Sequence, residues 1–258
     1  EVAIGRKTGL SAIGAFKSLD SRFGFLGILA SAVPIIILPY YSVIGGWVIK
    51  YFAVFLTGGG SASATDDYFT NFVGSTFEPL GWFLLFLGAT AVIVLLGVEK
   101  GIEKVSKFAM PILVLLAVVI SIYCLTLDGA MDGLAYYVQP HMDDFSVKTV
   151  LSAMGQLFYS MSLAMGIMVT YGSYMRKDTN LESSVRQIEV FDTVIAFLAG
   201  LMIIPAVFVF SGGDPKILQS GPSLMFVILP KVFASMPMGG AIGAAFFLLV
   251  IFAALTSS

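Results

Sequence analysis

The feature that most limits what this chain can fold into is a set of long stretches with almost no charged side chain. Residues 23–56 carry a single charge, Lys50, and residues 79–98, 108–127, 149–175, 193–213 and 232–258 carry none. About 20 apolar residues wound as a helix cross the hydrocarbon core of a bilayer, so these runs predict six membrane spans. In the third, Pro111 is expected near the first turn, where proline is tolerated. A large soluble core does not account for the pattern, because six helices apolar all round would leave nothing to face water. Composition agrees. Of 258 residues, 58% are hydrophobic and 12% charged, half the share of about 25% in soluble domains. That excludes a cytosolic enzyme, a disordered tail and a nucleic-acid-binding module, and a net charge of −2 provides no footprint for a polyanion. Cys124 and His141 are the only cysteine and histidine, so neither an internal disulfide nor a thiolate metal cluster is available. The chain starts at Glu1 and stops within an apolar run, which reads as the middle of a longer membrane protein.

Lysine and arginine sort by segment. The N-terminal stretch holds Arg6, Lys7, Lys17 and Arg22, and the loop 57–78 holds none. The following loops hold Lys100, Lys104 and Lys107, then Lys148, then Arg176, Lys177 and Arg186, and finally Lys216 and Lys231. The excess alternates, and the positive-inside rule puts the richer side, with residue 1, in the cytoplasm. The segment 58–63 (Gly-Gly-Gly-Ser-Ala-Ser) reads as a flexible outer loop, and Asp214-Pro215 and Gly221-Pro222 as turns. The apolar stretch 224–233 is too short to span and suits a re-entrant or surface helix.

Several residues do not suit a passive helix. If the fifth span starts near Ser184, Asp192 lies about 12 Å along it, where an unpaired carboxylate costs roughly 3 kcal/mol or more; if the helix starts later, Asp192 is a cap. In the fourth run, Gln156, Ser160, Ser162 and Gly166 read either as hydroxyls bonded to their own helix or as a broken helix lining a cavity. Such a break frees carbonyls for a cation and amides for a carboxylate. Ala253, Thr256 and Ser257 offer hard oxygen ligands, although small residues also serve helix packing. Tyr41 lies too deep to be an interfacial anchor.

Six strings together resemble the neurotransmitter:sodium symporters, an all-α family with the leucine-transporter fold. They are Glu1-Val2-Ala3-Ile4-Gly5-Arg6, Tyr40-Tyr41-Ser42-Val43-Ile44-Gly45-Gly46-Trp47, Gly101-Ile102-Glu103-Lys104-Val105-Ser106-Lys107, the run from Gly155-Gln156 to Tyr171-Gly172-Ser173-Tyr174, Gly221-Pro222-Ser223-Leu224-Met225-Phe226 and Ala253-Ala254-Leu255-Thr256-Ser257. The resemblance implies a helical bundle of inverted repeats. Residues 1–258 would be one transporter domain truncated at both ends, from the end of the family's second span to the middle of its eighth. It further implies sodium-coupled symport of an amino acid across the cell membrane, with Na⁺ co-transported and no organic cofactor.

By the same resemblance, Ser160 and Asp192 belong to a first sodium site, and the Ala253 carbonyl with the Thr256 and Ser257 hydroxyls to a second. Tyr41 would bond the substrate carboxylate, Tyr159 would form a lid, and Ser162, Met165 and Ile37 would line the pocket. Ala164 stands where glycine is common, which narrows that pocket. Tyr174 belongs to the cytoplasmic gate. Gln156 and Ala196 fall in the region where other members hold chloride. Ala196 offers no ligand there and Asp192 supplies a fixed negative charge, so chloride independence is expected. Apolar Met165 and Ile37 favour an apolar or aromatic amino acid. The alternatives are a symporter of the same fold for another solute, a non-transporting fragment and an intramembrane enzyme. A lone Asp192 does not make an aspartyl dyad, Cys124 reads as a small core hydrophobe, and His141 as a solvated loop residue. The bilayer and a small molecule are the expected partners, and nucleic acid is not.

Overall fold

The computed structural model of the chain describes residues 1–140, 142, 145–214 and 221–258, with the backbone alone at 98–100. His141, Pro215 and Lys216 fall outside the described residues, which contain helices and no strand. The chain opens with α1 (Val2–Thr8), ended by Gly9 in the left-handed region at φ 64° with its amide on the Gly5 carbonyl, a standard helix stop. Next come α2 (Ala12–Leu19), a short 3₁₀ turn at Ser21–Phe23 and the 33-residue α3 (Gly24–Leu56), which holds Pro34 and Pro39. Short helices α4 (Gly60–Ser63) and α5 (Tyr68–Gly74) lead to α6 (Glu78–Leu95), with Pro79 in its first turn. A π-helical segment, Val98–Glu103, runs into α7 (Lys104–Leu125), and α8 (Ala130–Val138) follows. Then come α9 (Val147–Ser160), α10 (Ile167–Tyr174) and α11 (Leu181–Ser211). A second π-helical segment, Leu224–Ile228, joins α12 (Leu229–Ser235), and α13 (Gly239–Ser257) closes the order.

Among the described residues, five helical segments have the length and composition to cross a membrane: Ser21–Leu56, Glu78–Leu95, Gly101–Leu125, Leu181–Ser211 and Gly239–Ser257. The fourth expected span, 149–175, is two helices. The charge-free run 232–258 also divides, because Pro237 has no amide to donate and holds Met236 extended at ψ 145°. Pro111 is not in a first turn. Helix α7 begins at Lys104, so the proline lies inside the helix and leaves one carbonyl of the preceding turn without its usual donor. The glycine-rich 58–63 segment is not a free loop either: Gly60 and Ser63 are buried in α4, and a Cβ on Gly60 would stand 2.9 Å from the Phe55 ring.

The chain forms two compact units, Glu1–Pro39 with Pro140–Val194 and Tyr40–Gln139 with Ile195–Ser258. In the first, α1 lies backbone to backbone on α10. A Cβ on Gly5 would fall 1.8 Å from the Val169 carbonyl oxygen, and one on Gly172 would fall 2.2 Å from that of Val2. Lipid gives helices no dehydration drive to associate, so close approach through small residues takes its place.

In the second unit, Gly45 and Gly46 of α3 admit α6, with Phe86 and the Phe83 backbone where a Cβ would stand 2.6 Å away. An aromatic core links α3, α13 and the segments before it. Tyr51 lies 5.3 Å from Phe247 and donates to the Phe226 carbonyl at 2.8 Å, while Trp47 meets Phe69 and Phe226 edge-on. Ion pairs Lys50–Glu78 and Lys231–Asp66 tie the connecting segments. Gly46→Ala should cost about 1–3 kcal/mol, since backbone cannot yield as a side chain does. That appears as a fall of several degrees in the unfolding temperature of detergent-solubilised protein. Gly88→Ala, with nothing within 4 Å of its Cβ, should leave that temperature level or slightly higher.

Candidate functional site

Helix α9 starts on a reciprocal cap: Ser146 Oγ accepts from the Thr149 amide at 3.3 Å, and Thr149 Oγ1 accepts from the Ser146 amide at 3.2 Å. After Ser160 the winding fails. Ser162, Ala164 and Gly166 take φ values of 53°, 60° and 71°, and α10 resumes at Ile167. A left-handed conformation costs a residue with a Cβ roughly 1–2 kcal/mol, so Ser162 and Ala164 are held there by their surroundings. Glycine suits position 166 twice over, since a Cβ would also meet Ala12 at 2.9 Å.

Glu1 provides part of the hold, because its Oε1 accepts from the Ala164 amide at 2.6 Å. The α1–α10 packing aims that carboxylate: with Gly5 and Gly172 seated on the partner's backbone, the start of α1 abuts the break. Arg6, five residues on, donates to the Thr179 carbonyl at 2.6 Å and so fixes the connection into α11.

Helix α11 begins earlier than expected. Asn180 Oδ1 accepts from the Ser183 amide at 3.1 Å and caps it, so Asp192 lies about 16 Å along the helix and is not a cap. Ser160 Oγ stands 2.8 and 2.7 Å from the two oxygens of the Asp192 carboxylate. A hydroxyl has one proton to share between them and leaves the negative charge in place. A carboxylate can accept about four contacts, so the pair retains capacity for a cation. Across the break, α10's first amides have no partner within the helix and carry the positive end of its dipole. An apolar cavity of about 280 Å³ adjoins the break, lined by Glu1, Met161, Leu163, Met168, Val185 and Ile188 among others.

The remaining site residues fall as follows. In the first unit, Tyr159 is exposed at the end of α9, Ser162 and Met165 are half-buried in the break, Ile37 is half-buried on α3, and Tyr174 is exposed at the end of α10. Gln156 is exposed one turn before Ser160, on the same helix face. In the second unit, Tyr41 is half-buried and Ala196 exposed. There Thr256 Oγ1 donates to the Phe252 and Ala253 carbonyls at 2.8 and 3.1 Å. That is ordinary helix behaviour, and it leaves the oxygen lone pairs available. Ala253 is half-buried and Ser257 exposed. Among the described residues no three or more His, Cys, Asp or Glu cluster as metal ligands, so the oxygens on offer are hydroxyls, carbonyls and single carboxylates. Nothing in the sequence around Glu1 marks a role for it, and its position against the break is visible only once α1 is packed.

Membrane-length helices and a helix pair broken at 161–166 beside a hydroxyl–carboxylate pair are features shared with membrane proteins whose sites are built on discontinuous helices. The chain belongs to the sodium:neurotransmitter symporter family, whose model matches residues 61–258. It is 37% identical over its whole length to the uncharacterized sodium-dependent transporter YhdH of Bacillus subtilis, of which it spans 57%. It is 34% identical, again over its whole length, to an uncharacterized sodium-dependent transporter of Haemophilus influenzae, of which it spans 59%. The crystal structure of MhsT in complex with L-phenylalanine superposes with a TM-score of 0.88 at 39% identity, over 99% of this chain and 58% of that one. The chain therefore has the leucine-transporter fold and spans under three fifths of the length of these relatives.

Proposed function

We propose that the protein is a sodium-coupled symporter of an amino acid with an apolar or aromatic side chain, working across the cell membrane by alternating access. The observation that carries this reading is the meeting of Ser160 and Asp192 beside the break between α9 and α10. Sodium would bind at that pair, and a second sodium at the Ala253 carbonyl with Thr256 and Ser257. The substrate carboxylate would bond Tyr41 and the unwound amides. Ser162, Met165 and Ile37 would face its side chain under Tyr159, and Tyr174 would close the cytoplasmic side. Residues 1–258 would act as one transport domain, with residue 1 on the cytoplasmic side as the lysine and arginine distribution suggests. The sodium-dependent relatives and the phenylalanine bound to MhsT support the ion and the substrate class. Ion and substrate held side by side raise each other's affinity by the same factor, so the sodium gradient drives accumulation.

The test is uptake of a panel of labelled amino acids into proteoliposomes made with the full-length protein, with and without a sodium gradient. Sodium-driven uptake of leucine, phenylalanine or a similar substrate supports the reading. Uptake of a different solute would move the substrate class, and uptake indifferent to sodium would sink the coupling. Asp192 supplies a fixed negative charge and Ala196 has no polar side chain, so replacing chloride by gluconate should leave the uptake rate within about twofold, a change smaller than 0.5 kcal/mol. A collapse of uptake in gluconate would refute chloride independence.

A further inference from the structure

We propose that Thr90, on α6, is a positioning residue for the ion-binding turn of α13, an inference that rests on the second sodium site proposed above. Thr90 Oγ1 and Ser258 Oγ lie 2.9 Å apart. Threonine in a helix commonly turns its hydroxyl onto its own backbone, as Thr170, Thr193 and Thr256 do here. Thr90 instead reaches another helix. It is 7% exposed and, with Phe86 one turn before it, forms the buried face of α6. Phe86 is itself fixed under Gly45, so Thr90 is presented from a rigid support.

Ser258 directly follows Thr256 and Ser257. Ser258 is the C-cap of α13, and its Oγ also donates to the Leu255 carbonyl at 3.4 Å, so its bond to Thr90 restrains the rotation of the last turn of α13 about its axis. That in turn sets the directions of the Ala253 carbonyl and of the Thr256 and Ser257 hydroxyls. The burial pattern fits this division, with Thr256 and Ser258 half-buried and Ser257 exposed. Without the Thr90 hydroxyl, the turn loses a fixed angular reference and the ligand oxygens converge less often. Sodium affinity then falls while the helices and the rest of the site stay intact.

The experiment measures the sodium half-saturation and maximal rate of uptake by the full-length protein in proteoliposomes, together with thermal stabilisation by sodium in detergent. Thr90→Val removes the hydroxyl at nearly constant shape, and loss of one neutral hydrogen bond should raise the half-saturating sodium about threefold to tenfold. The maximal rate at saturating sodium should stay within about twofold, and Thr90→Ser should return the half-saturation to the wild-type value. A merely structural threonine would instead lower the maximal rate or the unfolding temperature and leave the sodium dependence alone, which overturns the inference. Ser258→Ala breaks the same bond from the other side. It should reproduce the shift, and the double variant should add little, since both remove one interaction. If Thr90→Val yields no folded protein, Ser258→Ala alone decides. Ser257→Ala separates the two proposals: if it shifts the sodium dependence and the Thr90 and Ser258 variants do not, the positioning role fails and the second site stands. If all are silent, the site fails with it.

Discussion

Replacing Asp192 by alanine is expected to abolish sodium-driven accumulation in proteoliposomes, and Asp192→Asn to weaken it severely. The argument is electrostatic. Unit charges about 4 Å apart interact by about 4 kcal/mol at an effective dielectric near 20, which is close to a thousandfold in ion affinity. Asparagine keeps an acceptor for the Ser160 hydroxyl, which stands 2.7–2.8 Å from the carboxylate, but loses the charge. Ser160→Ala removes one neutral oxygen and leaves the charge, so its effect should be the smaller, about tenfold in half-saturating sodium. The order Asp192→Ala, then Asp192→Asn, then Ser160→Ala is the diagnostic. An Asp192→Asn protein with wild-type sodium dependence would show that the carboxylate is not an ion ligand.

The second large effect is expected at Glu1. Its carboxylate accepts from the Ala164 amide at 2.6 Å, and bonds to an ionised acceptor contribute about 1.5–3 kcal/mol. Glu1→Ala leaves that amide without its acceptor at a residue already in a costly backbone conformation. Uptake should fall about tenfold to a hundredfold. Glu1→Gln retains an acceptor without the charge and should lie between. Binding of labelled substrate in detergent separates this from a folding defect: the half-saturating substrate concentration should rise for both variants even where folded protein is recovered. Unchanged binding with Glu1→Ala would mean that the break keeps its shape without the clamp.

The fold was largely legible because charges are rare enough to mark helix ends, and five of six expected spans appear as membrane-length helices. What failed, failed locally. Pro237 divides the last run, and proline with the glycines after it was a visible signal that a count of charges passes over. The Gly-Gly-Gly-Ser segment reads as a flexible loop because composition does not record that Gly60 is needed to seat Phe55. At the site, Ser160 stands out within its string and Asp192 as a charge inside an apolar stretch, but their 32-residue separation says nothing of distance. Glu1 and Thr90 act across helix contacts made by Gly5, Gly172 and Gly45, and those contacts exist only after packing.

The alternating left-handed residues of the break also bear on what the segment does when released. The sequence from Met161 to Gly166 holds no proline, so nothing covalent prevents α9 and α10 from winding into one rod. Residues 147–174 would then span about 42 Å, well beyond the roughly 30 Å of a bilayer core. Ser162 and Ala164 together store about 2–4 kcal/mol toward that rewinding, a sizeable part of a domain's net stability of 5–15 kcal/mol. The gap is therefore a loaded spring, and its contacts with Glu1 and the neighbouring helices are the catch.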